Sequence, residues 1–278
     1  MYAFTLEQPK TLADAKRFSG AGAQPLAGGQ TLIASMKQRL LRPEQLVDLG
    51  GVAELRGVKV EGQTLVIGAM TCHQDVADNA DVRKHIPGLA ALAEGIGDRQ
   101  VRARGTLGGS VANNDPAACY PSAVLGLGAT VVTDRRQIAA DDFFQGLYTT
   151  ALEPGEIITA IRFPIPSKAA YAKFRQPASR FALVGVFVAL TPSGPRVAIT
   201  GTGNGVFRHA GLEAALAKSF TPDAVKDVKI DASDISGDLH ASALASSVLP
   251  TPGSPSSNSG RCRRIARNTA VASRRGAW

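Results

Sequence analysis

The spacing of apolar positions divides the chain into three patterned stretches and a remainder. In the first, Tyr2 to Thr5 alternates as a strand. Thr11 and Asp14 form a capping box for an amphipathic helix that ends near Gly20-Ala21-Gly22. Pro25-Leu26-Ala27 runs into Gly28-Gly29, a helical spacing continues through Ile33, Met36 and Leu40, and Gln45 to Leu49 reads as another short strand. This unit, residues 1–54, is small for an independent core and is expected to pack on the second unit.

From Leu55 the period becomes two. Val58-Lys59-Val60, a turn at Glu61-Gly62-Gln63 and Leu65-Val66-Ile67 predict a hairpin. Helical spacing returns from His73 to Asn79, from Pro87 to Gly95 and from Tyr120 to Leu127. Strands are predicted from Ala129 to Thr133 and from Glu156 to Phe163, closing a second unit at residues 55–168. The third unit, 169–243, holds strands from Tyr171 to Arg175, Ala182 to Leu190 and Arg196 to Gly201. A tight turn at Pro192-Ser193-Gly194-Pro195 joins the last two, and a helix runs from Gly211 to Lys218. The pattern implies an α+β protein with a largely antiparallel third unit.

At Leu244 the pattern stops. Residues 244–278 hold seven Ser, three Pro and six Arg and no acidic residue, a composition expected to be disordered. The abruptness of the break is what a change of reading frame would produce. The tail also changes the meaning of the charge. The chain has 31 basic and 23 acidic residues, net +8, but without the tail 25 basic residues face the same 23 acids. The basic balance therefore does not argue for nucleic acid, and no interleaving of aromatic and basic residues supports it elsewhere. A hydrophobic fraction of 44% suffices for a sizeable core. No apolar run approaches a membrane span and no leader is evident, so a cytoplasmic protein without an integral membrane segment is expected. Cys72, Cys119 and Cys262 lie too far apart to suggest a disulfide framework or a cluster site. His73, His85, His209 and His240 are scattered, and no metal site is expected.

The chemistry concentrates in two glycine motifs. Ala27-Gly28-Gly29-Gln30-Thr31 precedes a helix, whose first turn carries positive partial charge and unpaired N–H groups. Thr106-Leu107-Gly108-Gly109-Ser110 sits between Arg99, Arg102 and Arg104 and the turn sequence Asn113-Asn114-Asp115-Pro116. Glycine admits close approach of a ligand to the main chain, and successive N–H groups form an anion site. Either motif alone is a tight turn; two in one unit suggest a diphosphate gripped from both sides. Neither matches the P-loop or the dinucleotide-binding Gly-x-Gly-x-x-Gly. Gly201-Thr202-Gly203-Asn204-Gly205 reads as a strand-to-helix turn. The three arginines fit a solvated cationic face equally well as a field for a diphosphate or an acidic partner.

These motifs, in this order and spacing, resemble the FAD-binding medium subunit of molybdenum hydroxylases, the aerobic carbon-monoxide-dehydrogenase-like type in particular. The resemblance extends from Met1-Tyr2-Ala3-Phe4 to Asp238-Leu239-His240-Ala241-Ser242. It implies a vanillyl-alcohol-oxidase-like (PCMH-type) FAD-binding fold of two small subdomains plus a C-terminal antiparallel α+β subdomain, with FAD between the subdomains. It also implies a large molybdopterin-binding subunit, a small [2Fe–2S] subunit, a dimer of heterotrimers, and electron flow from the clusters through FAD to an external acceptor. No acid–base triad is expected in the chain itself.

Carried over by position, Ala27, Gly28, Gly29, Gln30 and Thr31 with Thr106, Gly108, Gly109 and Ser110 would contact the diphosphate through N–H and hydroxyl groups. Ile157 or Ile158 would lie near the FAD. Cys119 stands where relatives often place an Asp toward the ribose or adenosine end, with Asp115 nearby. Lys173 opens a basic loop ending at Arg180, implied to lie beside the flavin and raise its potential. Phe181 stands where carbon monoxide dehydrogenases carry a Tyr, which weakens the case for carbon monoxide as substrate. Two alternatives are a free-standing FAD oxidoreductase, for which the sequence offers no substrate acid or base, and a non-enzymatic anion or nucleic-acid binder using the tail.

The tail reading has a direct test. Deleting residues 244–278 is expected to leave FAD binding and the melting temperature nearly unchanged, since such a segment gains nothing by packing. A marked loss of stability by calorimetry would show that the tail is packed.

Overall fold

The structure is a computed structural model and describes residues 1–201 and 204–230. The tail, the Asp238–Ser242 match and part of the Gly201–Gly205 loop lie outside the described residues.

The first unit is a three-stranded parallel sheet of β1 (Thr5–Glu7), β2 (Gln24–Leu26) and β3 (Gln45–Asp48), in the order β1-β3-β2. Helix α1 (Leu12–Gly20) comes after β1, and α2 (Leu32–Lys37) after β2. Leu46 and Val47 on the central strand are fully buried, as a strand between two neighbours requires, while Pro25 sits on an edge strand where its missing N–H costs no ladder bond. The Thr11 hydroxyl caps α1, accepting from the Asp14 N–H at 3.2 Å. Two expectations shift here. The first strand is Thr5–Glu7, because only these residues register with Gln45 to Val47. Leu40 falls outside α2, where the chain reverses through Arg39 at φ +61°.

The second unit is an antiparallel sheet in the order β4-β5-β10-β6-β7. Strands β4 (Val58–Glu61) and β5 (Thr64–Gly68) form the expected hairpin around Gly62, whose positive φ suits the first position of a two-residue turn. Six short helices come next: α3 (His73–Asp78), α4 (Ala80–His85), α5 (Pro87–Glu94), α6 (Arg99–Arg104), α7 (Leu107–Asn113) and α8 (Tyr120–Gly126). The sequence pattern reveals α3, α5 and α8. It conceals α4, α6 and α7, which owe their starts to single side chains: Asn79, Asp98 and Thr106 each accept from N–H groups of the first turn. Strands β6 (Thr130–Thr133) and β7 (Gln137–Ala139), helix α9 (Ala140–Phe143) and the small hairpin β8 (Phe144–Gly146) and β9 (Thr149–Thr150) precede β10 (Ile158–Pro164), which returns to the middle of the sheet.

The third unit is an antiparallel sheet of β11 (Lys168–Arg175), β12 (Ala182–Thr191), β13 (Gly194–Thr200) and β14 (Phe207–Arg208), covered by α10 (Ala210–Lys218). Strand β12 is apolar on both faces for a visible reason. Val184, Val186 and Val188 face Leu212 and Leu216 of α10, while Phe187 and Ala189 join the core of the second unit. That shared core, with Tyr120, Phe143 and Phe163 fully buried, fuses the second and third units. Among the described residues no helix is long and apolar enough to cross a membrane.

A buried carboxylate fastens the turn after β6 to the entry of β10. Glu156 accepts from Arg136 at 3.0 Å, from the Thr133 hydroxyl at 2.7 Å and from the Glu153 N–H at 2.8 Å. Burial pushes its carboxyl pKa up, but the Arg136 and Thr133 hydrogen bonds, the Glu153 N–H and the Arg136 charge outweigh it and bring the pKa down to about 2. A carboxyl depressed in the folded state stabilises above its unfolded pKa, and that stability fades as pH falls toward the folded value. Glu156→Gln is therefore expected to lower the melting temperature by about 5 °C at neutral pH, and the gap from wild type should shrink as pH drops from about 4.5 toward 2. A pH-independent gap in thermal scans would contradict this account.

Candidate functional site

The two glycine motifs, 77 residues apart in the chain between Gly29 and Thr106, meet in space. A Cβ on Gly28 would collide with the carbonyl of Arg104, immediately before the second motif. A Cβ on Gly109 would stand 3.1 Å from that of Ala27. Gly29 adopts φ +71°, open to glycine and strained for any branched side chain. Glycine at these positions is thus required by the contact between the loops as well as by any ligand.

The loops differ in what they leave free. In the first, the N–H groups of Gly29, Gln30, Thr31 and Leu32 have no partner among the described residues, and the Thr31 hydroxyl makes no cap. Gln30 folds its amide back to donate to the Gly28 carbonyl at 3.2 Å. In the second, every N–H from Leu107 to Ser110 is taken. Leu107 donates to the Thr71 carbonyl at 3.0 Å, Gly108 to that of Ala69 at 2.8 Å, Gly109 to the Thr106 hydroxyl at 3.1 Å and Ser110 to the Thr106 carbonyl at 3.1 Å. The expectation that backbone N–H groups of both motifs are available to an anion is corrected for the second. Its amides build α7 and stitch it to the end of β5, leaving the Ser110 hydroxyl and the bare surface of Gly109 as what it offers.

Beyond α7 the chain turns through Asn114, which is buried and left-handed at φ +43°. Its side-chain amide donates to the carbonyls of Gly146 and Thr149, both at 2.8 Å, while its Oδ1 has no partner among the described residues. Asp115 accepts from the Ala117 N–H at 2.9 Å and bonds Tyr148, whose phenol pKa is raised by burial and by that carboxylate. Carbonyls of the same turn accept from Ala182 and Gly201 of the third unit. The turn thereby joins α7, the β8–β9 hairpin and the third sheet.

The remaining expected residues are placed otherwise than as exposed contacts. Ile157 (2% exposed) packs into the core of the first unit, and Ile158 (5%) into that of the second. Lys173, 8% exposed, donates to the carbonyls of Gly95 at 2.7 Å and Arg180 at 3.1 Å, and its Nζ lies 3.4 Å from the Cys119 sulfur. It therefore clamps the loop at residues 176–181 from inside, leaving Arg175 and Arg180 as the loop's exposed cations. The Cys119 thiol faces this ammonium. Sequence reasoning also passed over His73. Its backbone N–H donates to the Gly105 carbonyl at 2.9 Å, its ring lies 5.3 Å from that of Tyr120, and its Nδ1 is unpartnered. Burial and the nearby Arg102 lower its pKa to about 4, so it supports the second loop as a neutral ring. Nothing in the spacing of four scattered histidines signals this role. Among the described residues no cluster of His, Cys, Asp and Glu is arranged to hold a metal.

Comparison with known proteins bears on the same region. The family described as the FAD binding domain in molybdopterin dehydrogenase matches residues 2–166. The chain is 36% identical over 239 residues to the carbon monoxide dehydrogenase medium chain of Hydrogenophaga pseudoflava, covering 80% of this chain and 83% of that one. It is 33% identical to the glyceraldehyde dehydrogenase medium chain of Sulfolobus acidocaldarius, covering 81% and 85%. Its fold superposes on a solved carbon monoxide dehydrogenase from Hydrogenophaga pseudoflava with a TM-score of 0.77 at 34% identity, over 88% of this chain and 94% of that chain.

Because a buried ammonium holds the 176–181 loop, Lys173→Met is expected to release it, leaving two carbonyls unpaired. Trypsin should then cut after Arg175 or Arg180 at least about tenfold faster, the rate following the population of the opened loop. An unchanged cleavage rate would show that the loop is held by its own turn alone.

Proposed function

The chain belongs to the family of FAD-binding domains of molybdopterin dehydrogenases, and on that premise we propose that it works as the FAD-carrying medium subunit of a molybdenum hydroxylase. It has the PCMH-type α+β fold of its relatives and binds FAD. We place the cofactor-holding subdomains at 1–54 and 55–168, the third at 169–243 and a separate tail at 244–278.

The observation that carries the reading is the run of four unpartnered amides from Gly29 to Leu32, beside the bare backbone of Gly109. A diphosphate is a dianion whose oxygens accept several hydrogen bonds at close range, and a loop that leaves adjacent N–H groups free and carries no side chain in the way fits it. Gly29, Gln30 and Thr31 donate to it; Ala27 and Gly28 hold that loop against the second one. Thr106 and Gly108 fix the second loop through the cap and the Ala69 carbonyl, while Gly109 and Ser110 offer surface and a hydroxyl. Asp115 stands at the end of α7 for the ribose or adenosine end. Ile157 and Ile158 shape the floor from within the cores. Lys173 acts through the loop it clamps, setting how closely Arg175 and Arg180 approach the ring and favouring negative charge there. Bound FAD supplies the redox chemistry, exchanging electrons between one-electron donors and an external acceptor.

The holoenzyme partners are a large molybdopterin-binding subunit and a small [2Fe–2S] subunit, assembled as a dimer of heterotrimers in the cytoplasm. Relatives named as medium chains of carbon monoxide and glyceraldehyde dehydrogenases support this assembly.

The unequal loops give the test. The purified chain is expected to hold one FAD non-covalently. Gly29→Val with Gly109→Val should abolish stoichiometric binding, because one side chain strains and crowds the donor loop and the other fills the gap between loops. Ser110→Ala, which removes one hydroxyl, should weaken binding by about tenfold at most. A yellow, stoichiometric double variant would overturn the assignment.

A further inference from the structure

The edge of the first unit carries a surface that the cofactor site does not use. Tyr2 and Phe4, in the segment that enters β1, and Leu6 on the strand are all exposed, between 37% and 46%. Strand β1 is an edge strand, open on the side away from β3. The turn after α2 adds Leu40 at 71% and Leu41 at 47%. Arg39 and Arg42, which flank these leucines, hold their guanidinium groups 5.5 and 5.0 Å from the centre of the Tyr2 ring, so the turn and the strand present one combined surface.

An apolar patch of this kind on a folded protein marks an interaction site, and Tyr, Phe and Arg together are the residues enriched at the centres of protein interfaces. Charge selects the occupant. Neither Arg39 nor Arg42 has a carboxylate partner among the described residues. A second copy joined by a two-fold axis through this face would bring the same arginines together. The chain's own segment 244–278 has six Arg and no acid, so it is repelled by the same rim. We propose that this face docks another protein subunit, one that presents an apolar centre ringed by Asp or Glu. The inference rests on the reading of the chain as a subunit of a larger complex, and it assigns one side of that assembly to the edge built from β1 and the turn after α2.

The test uses the full chain co-expressed with the molybdopterin-binding and [2Fe–2S] subunits. In wild type, hydrogen exchange of residues 1–7 and 39–42 is expected to slow on assembly. Two variants, Arg39→Glu with Arg42→Glu, and Leu40→Ser with Leu41→Ser, should each weaken association at least about tenfold while FAD content and melting temperature of the isolated chain stay at wild-type values. The charge variant should also lose the salt dependence of association. Assembly of both variants at wild-type strength, with wild type assembling, would overturn this surface and leave the subunit reading intact. Failure of the wild-type chain to associate with either subunit would overturn the subunit reading, and this one with it. A dimer of the isolated chain that both variants abolish, or protection of the patch that vanishes on deleting 244–278, would overturn the choice of occupant.

Discussion

The architecture depends on a backbone contact: Gly28 lying directly against the carbonyl of Arg104 and Gly109 against Ala27. Two loops from different sheets can approach this closely only if neither carries a side chain at the meeting point. Once they do, a parallel three-stranded sheet and an antiparallel five-stranded one share a seam. The glycines set the distance between the units, and with it the width of the space in which an anion can be held.

What keeps that distance is a division of labour between the loops. The second is rigid because its amides are all satisfied: Thr106 caps α7, while the carbonyls of Ala69 and Thr71 hold Leu107 and Gly108 in place. The first keeps four amides free of partners among the described residues. The third unit contributes from outside the seam. Its shared core with α8 sets where β11 runs, and Lys173 on β11 reaches back to Gly95 and to Arg180. A buried ammonium bonded to carbonyls and facing a thiol, with no carboxylate among its partners, is an uncommon arrangement.

Much of this architecture was legible in the sequence, and the legible parts share a cause. The β4–β5 hairpin, α1, α3, α5, α8 and strands β11, β12 and β13 of the third sheet are each specified by a local period or by a turn residue within a few positions. The two glycine motifs were legible as a pair, because their composition, order and spacing match those of a known family. The alternation from Tyr2 to Thr5 pointed to the first strand a few residues early, since only Thr5–Glu7 finds a partner on β3.

What the sequence did not determine was decided by partners far along the chain. Helix α7 lacks an apolar period, and beyond its local Thr106 cap its start is received by the carbonyls of Thr71 and Ala69, more than thirty residues back in the chain. That the amides of the first loop stay free among the described residues while those of the second are bonded cannot be read from two similar Gly-Gly pairs, since a free N–H and a bonded one are the same residue in sequence. The same holds for Lys173, whose charge suggested exposure beside a ligand and whose surroundings bury it. Local patterns fix which elements form, because their energetics lie within a few residues. Which backbone groups are left over for a ligand is fixed only when every other group has found its partner, and that is a property of the whole fold.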